Sequence, residues 1–133
     1  MNTQTTKSKQ LQDLDEIVKN LRETSEQLIY VMDEQIQAIV SSSPEKIEEL
    51  TDKQSAMQSI YKRQERAFIV ELERHIGNSQ SSDIPKLSDL IEKFPEEEEQ
   101  IKKWRTTLSF NAKNLQRKTK QVVDLLEFAL NRT

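Results

Sequence analysis

The sequence predicts an all-α protein, in which a long antiparallel helical hairpin is followed by a short helix and a long C-terminal helix in a bundle-like arrangement. The 133 residues include one glycine and three prolines, too few for the turns of a β-protein. Apolar residues recur at spacings of three and four in three long stretches. Hydrophobic residues make up 34% and charged residues 32%, a balance that suits helices burying one stripe each. The length predicts a single domain, residues 1–133.

The first helix is predicted over residues 9–40, after a polar segment (residues 1–8) that is expected to be disordered. Its apolar stripe comprises Leu11, Leu14, Val18, Leu21, Leu28, Met32, Ile36 and Ile39. Two polar residues, Ser25 and Gln35, interrupt that stripe. A three-serine turn ends the helix, and Ser43 is the predicted N-cap of the next helix because a serine oxygen accepts a free N–H there. So short a connection makes the two helices antiparallel.

The second helix is predicted over residues 44–76 and stops at Gly77, since glycine adopts the left-handed conformation that ends many helices. A loop (residues 78–82) leads to a short helix over residues 84–94, which is expected to fold over one end of the hairpin. The last helix is predicted over residues 96–131. It opens with four glutamates, which suit the partial positive charge of a helix N-terminus.

The last helix carries more apolar side chains than a hairpin partner can cover. Its stripe comprises Ile101, Trp104, Leu108, Leu115, Val122, Leu125 and Ala129. Asn111 and Lys118 interrupt the stripe. Additional apolar residues near the end are Val123, Leu126, Phe128 and Leu130. The excess predicts that this helix binds another protein by helix-in-groove recognition.

Some residues of this helix admit two interpretations. Asn111 either sets the register of a buried core or lines a groove shared with a partner. Phe128 either packs within the chain or contacts a partner. Trp104 and Phe94 are interpreted as core residues at the junction with the short helix.

Residues for catalysis are scarce. His75 is the only histidine and there is no cysteine, which excludes two-histidine metal motifs and thiol chemistry. One glycine cannot build a phosphate-binding loop. Glu71 and His75, four residues apart, are interpreted as a surface pair near a helix end. We therefore expect a protein that is not an enzyme, has no catalytic or metal-binding residues and uses no cofactor.

A cluster of basic residues on the last helix bears on which partner the protein binds. Seven basic residues and no acidic ones lie between positions 102 and 120, although the net charge is −3. They are interpreted either as pairing with acidic faces of the first two helices or as a basic rim that steers an acidic partner. A nucleic-acid partner is not expected for a chain that is acidic overall. No apolar run approaches a membrane span and the N-terminus lacks a signal-peptide core, which predicts a soluble intracellular protein without membrane insertion.

Several motifs resemble the FlgN family of flagellar export chaperones. Residues 90–98 read LIEKFPEEE, and Asn111-x-x-Asn114-Leu115 and Leu125-Leu126-Glu127-Phe128 follow. Upstream, residues 45–54 (EKIEELTDKQ) and Gln64-Glu65-Arg66 look like the second helix of that family. The resemblance extends from about Leu11 to Asn131. Where the family often has a tyrosine near the C-terminus, this chain has Phe128.

The resemblance implies a cytoplasmic chaperone that binds the C-terminal amphipathic helix of hook–filament junction proteins. Such a chaperone prevents premature assembly of these proteins and delivers them to the flagellar export gate. The residues expected to bind the partner are Asn111, Asn114, Leu115, Val122, Val123, Leu126, Phe128 and Leu130. The alternative is a self-associating coiled-coil module with a structural or regulatory role, which the heptad-like spacing supports. A homodimer is compatible with both functions.

Overall fold

The computed structural model describes residues 11–77 and 87–131. Every element in these ranges is helical, which confirms the all-α prediction. The elements are α1 (Gln12–Val40), α2 (Pro44–Ile76), α3 (Leu87–Lys93), a 3₁₀ turn (Pro95–Glu97) and α4 (Glu98–Asn131). The predicted boundaries of the hairpin at residues 40, 44 and 76 are confirmed. The segment 1–8, the loop 78–82 and the predicted start of the short helix lie outside the described residues.

A proline separates α3 from α4. The ring of Pro95 disfavours the helical conformation in the residue before it, and Phe94 has φ −126° and ψ 67°. The chain resumes as one 3₁₀ turn, closed by a hydrogen bond from the Glu97 N–H to the Phe94 carbonyl oxygen (3.0 Å). For this reason α3 ends at Lys93 and α4 begins at Glu98, two residues after the predicted start at residue 96.

The serine turn between α1 and α2 has the geometry of a Schellman motif. The Ser43 N–H donates to the Ala38 carbonyl (3.0 Å) and the Ser42 N–H donates to the Ile39 carbonyl (3.1 Å). Ser42 adopts a left-handed φ of 53°. The Ile47 N–H donates to the Ser43 carbonyl (2.9 Å), which places Ser43 at the predicted N-cap position. The sequence predicted this turn but not its left-handed serine.

The end of α2 follows the prediction for Gly77. Its φ is 85°, and its N–H donates to the Glu73 carbonyl over 2.7 Å. This is the single-bond form of the left-handed cap, for which glycine has no steric penalty.

The chain divides into two compact units, and α1, α2 and α4 each contribute residues to both. The first unit comprises Met1–Arg22 and Lys62–Ser109. Its buried core comprises Leu11, Leu14, Val18, Leu72, Leu90, Phe94, Ile101 and Trp104. Because Leu90 and Phe94 belong to this core, α3 packs on the start of α1 and the end of α2, as predicted. Phe94 and Trp104 are core residues at this junction, which confirms their interpretation.

The second unit comprises Glu23–Tyr61 and Phe110–Thr133. Its main buried cluster is Leu28, Met32, Ile39 and Val122, so α1 and α4 both enter it. A smaller cluster, Val31, Ala38 and Leu50, contains only residues of α1 and α2. The predicted single domain stays a prediction, since each unit has a core of its own.

Three polar residues on the predicted stripes are buried. Ser25 and Gln35 of α1 are almost fully enclosed, and Asn111 of α4 is 7% exposed. The Gln35 amide nitrogen donates to the Thr51 hydroxyl oxygen over 3.3 Å, which links α1 to α2 inside the second unit. At these three positions the stripe spacing located the inward face correctly although the side chain is polar, whereas Lys118 on the α4 stripe is only half-buried.

Candidate protein-binding site

The residues predicted to bind a partner fall into different environments along α4. Val122 is 2% exposed and lies in the main core of the second unit. Leu115 is half-buried and packs against the same core. Asn114 is half-buried as well. The contacts of Val122 and Leu115 are therefore with side chains of this chain, and neither offers an open apolar surface.

An open apolar strip runs beside that core. We call Val123, Leu126 and Leu130 the terminal flank, because their spacings of three and four put them on one side of α4. Val123 is 45% and Leu130 72% exposed. Leu126 is half-buried and touches the core, so it joins the exposed pair to the interior. The terminal flank is the part of the predicted site that another protein can reach without a change in the helix.

Phe128 lies on another side of the same helix. At about 100° per residue it is about 140° round α4 from Val123. It shares its side with Phe110, about five turns earlier, and the two rings are 58% and 63% exposed. A single partner helix lying along α4 contacts either the terminal flank or the two phenylalanines. Phe110 was not among the predicted contacts, and its spacing of 18 residues from Phe128 was the signal for it.

Asn111 belongs to the interior rather than to an open groove. Its amide nitrogen is buried and forms no hydrogen bond within the described residues. A buried donor without an acceptor costs about 1–3 kcal/mol. Its burial therefore favours the interpretation of Asn111 as a core residue that sets register.

Two basic residues of α4 pair within their own helix and one pairs with α1. Lys102 pairs with Glu98 (3.2 Å) and Lys120 with Asp124 (2.9 Å), four residues away in each case. The hydrogen bond to Asp124 raises the pKa of Lys120. Lys118 pairs with Asp33 of α1. The predicted pairing with the first two helices is thus found for one lysine only.

Four further basic residues of α4 are exposed and form no ion pair with any described residue: Lys103, Arg105, Lys113 and Arg117. Lys113 and Arg117 lie three and seven residues after Phe110, on or next to its side of the helix. Unpaired positive charge therefore flanks the exposed phenylalanine and also extends towards the start of the helix.

The Glu71–His75 pair is more enclosed than the sequence suggested. The two side chains are each 14% exposed, and the His75 Nε2 lies 3.9 Å from the Glu71 Oε1. The Phe94 ring meets the imidazole edge-on, with the ring centroids 6.1 Å apart. The prediction of a surface pair is therefore wrong, because the residue before Pro95 covers the end of α2. Nε2 has no hydrogen-bond partner among the described residues.

The described residues hold no group of three or more histidine, cysteine or carboxylate side chains placed to bind a metal ion. Within the same ranges, no helix has an apolar stretch long enough to cross a membrane.

Comparison with known proteins gave no match to a family model, to a curated protein or to a solved structure.

Proposed function

We propose that this protein is a FlgN-type flagellar export chaperone. In this function it binds the C-terminal amphipathic helix of hook–filament junction proteins in the cytoplasm. It prevents them from assembling too early and delivers them to the export gate. The proposal rests on the motifs from residue 90 to Phe128, and the observation that carries it is the exposed apolar strip of the terminal flank.

The terminal flank matches what an amphipathic helix needs. A client helix has an apolar stripe that would drive polymerisation if it were left in water. Val123 and Leu130, seven residues apart, present apolar groups two turns apart on one side of α4. Pairing such a strip with the stripe of a client removes both from water, and this is the basis of helix-in-groove recognition.

The exposed apolar strip supplies only part of the free energy that binding requires. Burying a fully exposed valine or leucine contributes about 1.5–3 kcal/mol, so the exposed parts of Val123 and Leu130 contribute roughly 3 kcal/mol together. A micromolar complex requires about 8 kcal/mol after the costs of ordering have been met. The client helix must therefore use further side chains, and half-buried Leu126 is the nearest apolar group on the same side.

The experiment is a change of charge on the exposed part of the flank. Val123→Asp should weaken binding of a junction protein's C-terminal helix by about 10- to 100-fold, because an unpaired carboxylate would enter an apolar contact. The measurement is isothermal titration calorimetry with the full chain and a peptide of that helix. Val123 is preferred to Leu126, since a charge at Leu126 would also disturb the core.

Phe110→Asp is the matched control. Phe110 is an exposed apolar residue of the same helix, but it lies about 140° away from Val123. Its substitution should leave the affinity for the client helix unchanged. Absence of binding by the unsubstituted chain, or equal losses in both variants, would contradict the proposed site.

A further inference from the structure

A second surface of the second unit lies along α1. An open groove of about 740 Å³ is lined by residues of α1 that include Tyr30, by Lys46 and Leu50 of α2, and at its other edge by Lys118 and Gln121 of α4. A second groove of about 440 Å³ is lined by α1 and α2 residues that include Tyr30 and Lys53. Because Tyr30 lines both cavities, we call the two together the hairpin groove. It involves neither the terminal flank nor the chaperone function proposed for it.

The floor of the hairpin groove is apolar. It includes Val31, Ala38 and Leu50, the buried cluster to which only α1 and α2 contribute. Tyr30, at the junction of the two cavities, is 65% exposed. A largely exposed aromatic ring beside an apolar floor is typical of an interaction surface rather than of a solvated helix face.

The walls of the groove carry opposite charges. From α1 the lining residues include Glu23, Glu26 and Glu34, and from α2 they include Lys46 and Lys53. None of these five side chains forms an ion pair with a described residue. The other acidic lining residue, Asp33, is already paired with Lys118. One molecule therefore presents an unpaired acidic wall and an unpaired basic wall side by side.

We propose that the hairpin groove binds the hairpin groove of a second copy of this chain, and that the two form a symmetric dimer. A two-fold axis parallel to the helices places α1 of each copy over α2 of the other. The acidic wall of each copy then meets the basic wall of its partner, and the two copies of Tyr30 are enclosed at the centre. A second copy carries both walls in the required arrangement, and this is why it is the occupant.

The register of the hairpin supports this pairing. The hydrogen bond between Gln35 and Thr51 places these two residues at the same height along the hairpin. Glu34 and Lys53 are their near neighbours, so they lie within about one helical turn of each other in height. A rotation about an axis along the helices preserves height. Glu34 of each copy therefore comes against Lys53 of the other, and every neighbouring pair of helices is antiparallel.

The first test is the mass of the full chain in solution. Sedimentation equilibrium over a range of concentrations should give a dimer of twice the 15.6 kDa chain mass. Tyr30→Ala should raise the dimer dissociation constant at least tenfold, because truncating a central aromatic anchor removes its contacts. Phe110→Ala, a similarly exposed ring outside the groove, should leave the constant unchanged. A strict monomer at every concentration, or equal effects of the two substitutions, would overturn the proposal.

A charge exchange tests the swapped arrangement itself. Glu34→Lys and Lys53→Glu should each weaken the homodimer, since two attractive contacts become repulsive. An equimolar mixture of the two variants should recover a heterodimer, because both contacts between unlike chains are then attractive. Lys113→Glu, on α4, is the control for net charge. If the mixture stays monomeric while the unsubstituted chain dimerises, the copies do not pair through these walls and the proposal is wrong.

The same variants separate this inference from the chaperone function. Tyr30→Ala should still bind the client helix, and Val123→Asp should still form the dimer, because the two substitutions lie on different surfaces of the second unit.

Discussion

At the scale of single residues, the contacts of Asp15 show what helical spacing does not reveal. Its Oδ1 accepts hydrogen bonds from the Trp104 indole (3.1 Å) and from the Gln100 amide (3.3 Å). Lys19 lies 3.4 Å from its other oxygen but is largely exposed. Spacing predicted that Trp104 is buried, whereas its hydrogen-bond acceptor lies 89 residues earlier. A buried indole N–H needs such an acceptor, and only the packing of α1 on α4 supplies it.

Asp15→Ala should lower the free energy of unfolding by about 1–3 kcal/mol, because the buried indole N–H loses its acceptor. The measurement is urea denaturation followed by the fluorescence of Trp104, the only tryptophan of the chain. Asp15→Asn is the control, since its amide oxygen can still accept from the indole, and it should cost less than Asp15→Ala. The exposed pair with Lys19 contributes little, so loss of the charge alone should have a small effect. Equal losses in the two variants would show instead that the charge of Asp15 matters and the hydrogen bond does not.

At the scale of helices, the sequence predicted where the hairpin turns and the structure shows a strained residue at the turn. Ser42, at the residue after the α1 cap, has a positive φ and both Schellman hydrogen bonds close around it. A residue with a Cβ costs roughly 1–2 kcal/mol in this conformation. The three serines read as a turn in sequence, but nothing in them distinguishes which one is left-handed.

Ser42→Gly should raise the free energy of unfolding by about 0.5–1 kcal/mol. Relief of the left-handed strain exceeds the extra entropy that glycine loses on folding, roughly 0.5–1 kcal/mol. Thermal and urea unfolding followed by circular dichroism would measure the gain. Ser41→Gly is the matched control. Ser41 lacks a positive φ, so glycine there relieves no strain and should lower the free energy of unfolding through its entropic cost alone. A loss of stability in Ser42→Gly would show that the serine side chain contributes more than its backbone strain costs.

Along α4, the spacing of apolar residues predicted a stripe and an excess beside it. Val122 lies in the core and Val123 beside it is exposed, as the stripe and the flanking set indicate. The partner-binding role of these residues stays a prediction. Sequence grouped Phe128 with the terminal flank because all four residues are apolar and close to the end. The helix separates them by about 140°, since five residues do not make a whole number of turns.

At the scale of the whole molecule, two cores share three continuous helices. The units defined by contacts are discontinuous in sequence, and α1, α2 and α4 each pass from one unit to the other. A break between the cores would have to interrupt the hydrogen bonding of all three helices. If the chain is a single domain, as predicted, the two cores should therefore unfold together.

Unfolding should be one cooperative transition. Trp104 fluorescence reports on the first unit, and far-ultraviolet circular dichroism reports on the helices of both. The two signals should give the same urea midpoint and the same slope. Leu72→Ala in the first core and Val122→Ala in the second should shift both signals together. Separate midpoints would show that the units unfold independently, and the single-domain prediction would then be wrong.

The sequence by itself determined the helical class, the hairpin and its boundaries, and the inward faces of α1 and α4. These follow from local rules: the period of the helix, the left-handed tolerance of Gly77 and the restriction that Pro95 places on Phe94. Tertiary structure decided which residues outside the stripes remain open. It enclosed His75 beneath Phe94, placed Tyr30 over an apolar floor and left Val123 beside the core. Periodicity fixes the direction of a side chain on its own helix, but exposure depends on which other helix lies in that direction, and that contact joins residues far apart in the chain.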